Sequence, residues 1–146
     1  MPAGERAAGY FDTSALVKCY VRERGSAAAL EAFERHAVVS SAVARVEMAS
    51  ALRRHRATAG PGVAAAVAQR VRLERPQWRL VAVDGTVIAR AEQIAATEEV
   101  RALDALHLAT ALVFREATGL QSSFVTADDR QRRAAVALGL EVIFIE

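Results

Sequence analysis

Short apolar runs alternate with longer amphipathic segments along the whole chain. The apolar runs predict five strands, at Ala7–Phe11, Ala37–Ser40, Trp78–Val83, Ser123–Thr126 and Val142–Ile145. The intervening segments predict seven helices, at Ser14–Arg22, Ser26–His36, Ser41–Ala59, Val63–Glu74, Val87–Thr97, Ala102–Thr118 and Asp128–Leu138. Because strands and helices alternate and no hairpin pattern occurs, the chain is predicted to be an α/β protein with a parallel sheet covered on both faces.

Small polar residues, glycine and proline mark the predicted helix boundaries. Ser14 and Ser41 are positioned to cap the helices that follow them, and Asp84 is predicted to cap another. Gly60-Pro61-Gly62 is predicted to separate two helices. The helix at Ala102–Thr118 is apolar almost all round, which predicts a central, buried position.

The composition is that of a soluble globular protein. With 146 residues, 53% of them apolar, residues 1–146 are predicted to form one domain, and Met1–Arg6 is expected to be frayed. No apolar run reaches the roughly 18 residues of a membrane span, and Asp12 interrupts the apolar N-terminal stretch that a secretory signal would need. Cys19 is the only cysteine, so no internal disulfide can form and a cytoplasmic location is expected.

Positive charge is concentrated in one part of the chain. The net charge is only +2, yet the segment from Ser41 to Leu80 holds eight arginines against two glutamates. Such a segment could attract a polyanion or could simply form the solvated face of two helices. Lys18, the only lysine, lies about two helical turns after Asp12.

Four acidic residues stand where a carboxylate is costly to bury. Asp12 and Asp128 follow predicted strands, while Glu47 and Asp104 lie on predicted helices rich in apolar residues, Asp104 in the middle of the most apolar one. A carboxylate among such neighbours shifts its pKa upward, pairs with a base or binds a cation. Because carboxyl ends of parallel strands meet at one sheet edge, a shared Mg²⁺ or Mn²⁺ is the economical solution.

Each acid also has an ordinary structural role open to it. The alternatives are helix caps for Asp12 and Asp128, an ion pair of Glu47 with Arg45, Arg53 or Arg54, and an ion pair of Asp104 with Arg101. Asp129 competes with Asp128 for the fourth position, and the spacing from Thr126 favours Asp128. His107, three residues after Asp104, is predicted to be a structural neighbour of the site.

The segments around these acids resemble those of the PIN-domain nucleases. The matching words are YFDTSALVK at residues 10–18, S-x-V-x-x-x-E-x-x-x-A-L from Ser41, RALDALHLATAL at residues 101–112 and VTADD at residues 125–129. They occur in the order that the family has. More narrowly, the chain is similar to the small VapC-type toxins of bacterial toxin–antitoxin pairs, from Tyr10 to Ile145.

This resemblance implies a PIN-like three-layer α/β/α fold with a central five-stranded parallel sheet. It implies a metal-dependent endoribonuclease that hydrolyses RNA, for example tRNA or rRNA, with Mg²⁺ or Mn²⁺ and no organic cofactor. The implied metal ligands, which are also the implied catalytic residues, are Asp12, Glu47, Asp104 and Asp128. A cognate VapB-type antitoxin would inhibit the enzyme, and a homodimer is expected.

Further residues are expected to support this chemistry. Ser14 and Thr126 could hydrogen-bond a ligating carboxylate or a metal-bound water. Lys18 could pair with an acid of the site or contact a phosphate, and the arginines between Arg45 and Arg79 are candidates for RNA backbone contacts. Because no 2′-hydroxyl is required, the products are expected to carry 5′-phosphate and 3′-hydroxyl ends.

Two other classes of function compete with the nuclease. A non-catalytic PIN-type module could bind RNA or protein, although it would have no need for so many buried acids. A phosphoacceptor signalling domain also clusters acids and Mg²⁺ at strand ends. That class would place an acidic pair after the first strand and a lysine after the last, and this chain has neither.

Overall fold

One parallel sheet lies at the centre of the molecule. The computed structural model describes residues 6–146, so the frayed start expected at Met1–Arg6 lies, except for Arg6, outside the described residues. The strands are β1 (Ala8–Phe11), β2 (Ala37–Ser41), β3 (Arg79–Val81), β4 (Ser122–Thr126) and β5 (Val142–Phe144). They pair in parallel in the order β3-β2-β1-β4-β5.

Seven helices connect and cover these strands. They are α1 (Thr13–Tyr20), α2 (Ser26–Arg35), α3 (Ala44–Ala59), α4 (Pro61–Glu74), α5 (Gly85–Thr97), α6 (Ala102–Thr118) and α7 (Asp129–Ala137). A 3₁₀ turn at Arg75–Gln77 leads from α4 into β3. No helix within residues 6–146 has the length and apolar character needed to cross a membrane.

The sheet separates two hydrophobic cores. Tyr10 and Phe11 are consecutive residues of β1 and are both fully buried. Tyr10 packs with α5, α6 and α7, whereas Phe11 packs with α1, α2, α3 and α4. A strand buried on both faces has no solvent-facing position, which explains why β1 is apolar throughout. The predicted three-layer α/β/α fold with five parallel strands is confirmed; the single domain over residues 1–146 stays a prediction.

Two of the predicted helix caps are wrong. Asp12, not Ser14, caps α1, because its Oδ1 accepts a hydrogen bond from the Ala15 N–H at 3.0 Å. Ser14 lies inside the first turn of that helix. Ser41 is the last residue of β2, and α3 begins only at Ala44. The strand continues through Ser41, one residue further than predicted, so Ser41 pairs in the sheet and the helix starts later.

Two other local expectations need correction. Only Gly60 separates α3 from α4, since Pro61 and Gly62 belong to the first turn of α4, where proline is well tolerated. Asp104 lies in the first turn of α6, not in its middle, even though the bounds of that helix are as predicted. The first turn of α6 reaches the sheet edge, so this carboxylate is only partly enclosed.

The chain changes direction across the sheet at β1. From β1 it runs to β2 and β3 on one side, and it later returns to β4 and β5 on the other side. The helix after β1 covers one face, and the helix after β4 covers the opposite face. Helices that diverge in this way leave a crevice at the carboxyl ends of the two neighbouring strands, the usual ligand site of open α/β sheets.

Candidate active site

A cavity of about 730 Å³ opens at this crevice. All four predicted acids line it, each from a different segment: Asp12 after β1, Glu47 on α3, Asp104 on α6 and Asp128 after β4. Other polar residues that line the cavity are Thr13, Ser14, Lys18, Glu23, Arg54, Arg101, His107 and Gln131. The fold therefore places the four acids that the sequence singled out on the wall of one cavity.

Asp12 is the most deeply buried of the four acids, with 3% of its surface exposed. The Ser14 hydroxyl donates to Oδ1 at 2.6 Å, and the Thr126 hydroxyl donates to Oδ2. Burial raises the pKa of the Asp12 carboxyl, although nearby His107 and these hydrogen bonds act in the opposite direction. The protein's own donors thus do not fully offset the cost of a buried charge here, and a cation would.

The same two hydroxyls join the ends of β1 and β4. Ser14 Oγ accepts a hydrogen bond from the Ala127 N–H at 2.9 Å, and Thr126 Oγ1 accepts one from the Asp128 N–H at 3.1 Å. Each hydroxyl therefore holds Asp12 on one side and the loop that carries Asp128 on the other. Ser14 and Thr126 therefore orient the Asp12 carboxylate, and their support of a metal ligand stays a prediction.

Glu47 takes part in a buried network of side chains. Its Oε1 accepts hydrogen bonds from His107 Nε2 at 2.7 Å and from Thr13 Oγ1 at 2.8 Å. His107 Nδ1 lies 2.8 Å from the Tyr10 hydroxyl. A carboxylate only accepts hydrogen bonds, so we assign the hydrogen to Nε2, and in the neutral ring Tyr10 then donates to Nδ1.

This network keeps Glu47 ionised. Burial acts to raise its pKa, but the hydrogen bonds from His107 and Thr13 outweigh that effect and lower the pKa of the Glu47 carboxyl. Within residues 6–146, the Glu47 carboxylate contacts His107 and not the arginines of its own helix. A negative charge is therefore maintained at the cavity wall.

Asp104 lies in the first turn of α6, and Asp128 lies directly before α7; both are close to Arg101. Asp128 is the N-cap of α7, accepting from the Gln131 N–H at 3.0 Å. Burial raises the pKa of Asp104, and the charge of Asp128 raises it further, while Arg101 lowers it. The guanidinium of Arg101 lies 3.6 Å from Asp104 Oδ2 and 3.6 Å from Asp128 Oδ2. The ion pair of Asp104 with Arg101, which was the structural alternative to metal binding, is therefore present in spite of the apolar surroundings of α6.

Asp129 and Lys18 make their contacts away from the four acids. Asp129 points away from the cavity and pairs with Arg132 and Arg133, the latter at 3.0 Å. Lys18 lines the cavity, but its ammonium pairs with Glu23 at 3.2 Å and donates to the Arg24 carbonyl at 2.7 Å. Lys18 therefore touches none of the four acids, and it remains a candidate for a phosphate contact.

The four carboxylates are not drawn together around a common point. Within residues 6–146, no three acidic, histidine or cysteine side chains are close enough to hold one ion as they stand. Protein donors occupy both oxygens of Asp12 and one oxygen of Glu47, and Arg101 lies between the other two carboxylates. Side-chain rotation around the cavity would be needed to share an ion.

Thr13 and Gln131 belong to the cavity wall without having been predicted. The hydroxyl of Thr13 supports Glu47, from the residue directly after Asp12. Gln131 is 1% exposed, and its Oε1 has no hydrogen-bond partner among the described residues. The YFDTSALVK segment does contain a second hydroxyl at Thr13, but nothing in the sequence indicated that a residue of α7 would turn inward.

Asp84 provides a test of this assignment, since it also follows a strand. As predicted, it caps α5 by accepting from the Val87 N–H at 3.0 Å, and it does not line the cavity. Asp84→Ala is expected to lower the free energy of unfolding by about 1 kcal/mol, the usual value of an N-cap. Urea denaturation measures this loss. Mn²⁺ binding should be unchanged, and a weakened affinity would place Asp84 in the site.

Known proteins match both the sequence and the fold. Residues 9–137 match the family described as the PIN domain. The chain is 41% identical over 138 residues to Ribonuclease VapC46 of Mycobacterium tuberculosis, a match that covers 94% of this chain and 97% of that protein.

Solved structures show the same architecture at lower sequence identity. FitAcB from Neisseria gonorrhoeae has a TM-score of 0.64 at 20% identity and covers 92% of this chain and 95% of its own. A toxin–antitoxin complex from Klebsiella pneumoniae has a TM-score of 0.62 at 19% identity and covers 83% and 87%, respectively. At these identities the likeness concerns the fold.

Proposed function

Because the chain belongs to the PIN-domain family, we propose that it is a metal-dependent endoribonuclease and the toxin of a toxin–antitoxin pair. The observation that carries this proposal is the placing of Asp12, Glu47, Asp104 and Asp128 around one cavity at the strand ends. The similarity over nearly the whole chain to a protein named as a VapC ribonuclease supports it.

The donor set fits a hard divalent ion. The four groups supply carboxylate oxygens, the ligands that Mg²⁺ and Mn²⁺ prefer. The raised pKa of Asp12 and the mutual repulsion of Asp104 and Asp128 are the electrostatic consequences of acids that lack sufficient positive charge. These four residues would hold the ion, which when bound supplies a water of lowered pKa and neutralises charge on the phosphate.

The chain's own residues would prepare the site for this ion. Ser14 and Thr126 fix both oxygens of Asp12, and His107 and Thr13 fix one oxygen of Glu47. Side chains held in this way lose less conformational freedom on binding, so the rotation needed to share an ion would fall to Asp104 and Asp128. Lys18, Arg54 and Arg101 lie on the cavity wall and would meet the phosphates of an RNA strand.

A partner and an assembly complete the proposal. A cognate VapB-type antitoxin would inhibit the enzyme by covering the acidic cavity, and a homodimer in the cytoplasm is expected from the family resemblance. Structured RNA such as tRNA or rRNA is the proposed substrate class. Among the eight arginines between Ser41 and Leu80, Arg54 is the one that lines the cavity, so the others would contact RNA only outside it.

The ends of the products test this mechanism directly. Antitoxin-free protein is expected to cut total RNA with Mn²⁺ or Mg²⁺ and not with EDTA, leaving 5′-phosphate and 3′-hydroxyl ends, because a water attacks phosphorus. Ligation of adaptors that require a 5′-phosphate identifies these ends. Products with 2′,3′-cyclic phosphates, or cutting that persists in EDTA, would contradict the proposed chemistry.

A non-catalytic PIN-type module is the second candidate. The observation in its favour is that, within the described part of the chain, the acids are not already clustered around an ion position. Such a module would bind RNA or protein equally well in EDTA and would cut nothing in Mn²⁺. Gel-shift and cleavage assays on the same protein and RNA distinguish the two candidates.

A further inference from the structure

Arg101 is the cation closest to the paired carboxylates at the mouth of the cavity. It is the N-cap residue of α6, and its side chain is 73% exposed. Its Nε lies 3.6 Å from Asp104 and its Nη2 lies 3.6 Å from Asp128. The backbone N–H of Arg101 also points to Asp104 Oδ2, at 3.4 Å. One guanidinium therefore bridges two acids that would otherwise repel each other.

This bridge is a loose one. Separations of 3.6 Å are within ion-pair range but exceed the length of a good N–H···O hydrogen bond, which is about 2.7–3.2 Å. An exposed pair of this kind contributes little stability, because water screens it and the long side chain loses freedom. Arg101 thus balances the acid pair without being locked to it, and a second cation could displace it at low cost.

We propose that Arg101 serves two partners in turn: the carboxylates of Asp104 and Asp128 in the metal-free protein, and a phosphate of the RNA once a divalent ion holds those carboxylates. This inference rests on the proposed function and names a residue and a regulatory contact of the same site. An ion and a guanidinium compete for the same two carboxylates, so binding of the ion releases the arginine.

The chemistry of arginine suits the second role. Its guanidinium stays charged at all physiological pH values, so once displaced it keeps the positive charge that attracts a phosphate. Arg101 directly precedes α6 and lines the cavity that RNA would enter. Its planar fork matches two phosphate oxygens, which gives it a more specific contact than an ammonium group.

Substitution of Arg101 is expected to move two measurements in opposite directions. Arg101→Ala removes the competitor, so Mn²⁺ binding to the RNA-free protein, measured by calorimetry, should become about two- to fivefold tighter. At saturating Mn²⁺ the same variant should cut RNA with kcat/KM lowered by about tenfold, because a charged contact to phosphate is lost. Arg101→Lys, which keeps the charge but not the fork, should lie between wild type and Arg101→Ala in both assays.

Arg90→Ala is the matched control. Arg90 pairs with Glu116 on the outer surface, at 3.0 Å and 3.3 Å, and it does not line the cavity. Its substitution should change neither measurement.

Several results would overturn the proposal. Unchanged or weaker Mn²⁺ binding in Arg101→Ala would show that no competition exists. Tighter Mn²⁺ binding with unchanged kcat/KM at saturating Mn²⁺ would show that Arg101 does not contact a phosphate of the RNA. If Mn²⁺ affinity and kcat/KM both fell and the melting temperature dropped as well, Arg101 would be a structural residue at the start of α6. Wild-type protein that neither binds Mn²⁺ nor cuts RNA would instead remove the proposed function, and the inference with it.

Discussion

Asp104→Asn is expected to lower RNA cleavage by more than about a hundredfold, since even residues that only support metal ligands cost tenfold to a hundredfold. An amide keeps the size and one oxygen of the carboxyl but carries no charge, so it binds a divalent ion poorly. It also leaves Asp128 without the partner that would share the ion with it. Cleavage of total RNA at saturating Mn²⁺, compared with wild type, measures the loss.

The same substitution should not weaken the fold. The pKa of Asp104 is raised in the folded protein, by burial first and then by the charge of Asp128. When the pKa of a carboxyl is higher in the folded protein than in the unfolded chain, its ionisation at higher pH lowers the free energy of unfolding. The reason is that the folded state holds the proton more strongly. Removing that charge should leave the melting temperature at pH 7 unchanged or raise it, as measured by thermal unfolding. Lost activity with retained stability is typical of a functional residue.

Asp129→Asn is the matched control for Asp104→Asn. Asp129 follows Asp128 directly but pairs outward with Arg132 and Arg133, and it does not line the cavity. Its substitution should leave cleavage within about twofold of wild type, as surface ion pairs contribute little. Full activity in Asp104→Asn would disprove the proposed site. A large loss of activity in Asp129→Asn would identify Asp129, instead of Asp128, as the fourth acid.

The sequence predicts those parts of the site that depend on local pattern. Asp12 and Asp128 could be placed at one sheet edge because each follows a buried strand, and parallel strands end on the same side. The bounds of α6 were predictable from its apolar period and from Gly119, which ends it with a φ of 69°. These features are encoded within a few residues of where they act.

The partners of the acids depend on contacts that no local pattern encodes. His107 meets Glu47 across 60 residues of sequence, because the order β3-β2-β1-β4-β5 brings the starts of α3 and α6 to the same crevice. Within its own helix, Glu47 had three arginines as equally plausible partners. The cap of α1 is hard to predict for a related reason. Ser14 and Asp12 both fit the pattern, and only the tertiary contacts to Ala127 and Thr126 decide between them.

His107→Leu is expected to lower both stability and activity. The substitution removes the donor to Glu47 and the acceptor of the Tyr10 hydroxyl, both in a region where His107 itself is 2% exposed. A buried polar group left without its partner costs about 1–3 kcal/mol, which urea denaturation can measure. Cleavage should fall by about tenfold to a hundredfold, the range for residues that orient a metal ligand.

His107→Gln separates the positioning role from simple packing. A glutamine can place its amide N–H near the position of Nε2 and so still donate to Glu47, whereas leucine cannot. Mn²⁺ affinity and kcat/KM should therefore recover substantially in His107→Gln, while stability recovers less because the Tyr10 contact is not restored. In a Tyr10→Phe and His107→Leu double variant the unpaired hydroxyl is absent, so the loss of stability should be smaller than the sum of the two single losses. Equal activity of the Gln and Leu variants would mean that His107 fills space beside Glu47 without orienting it.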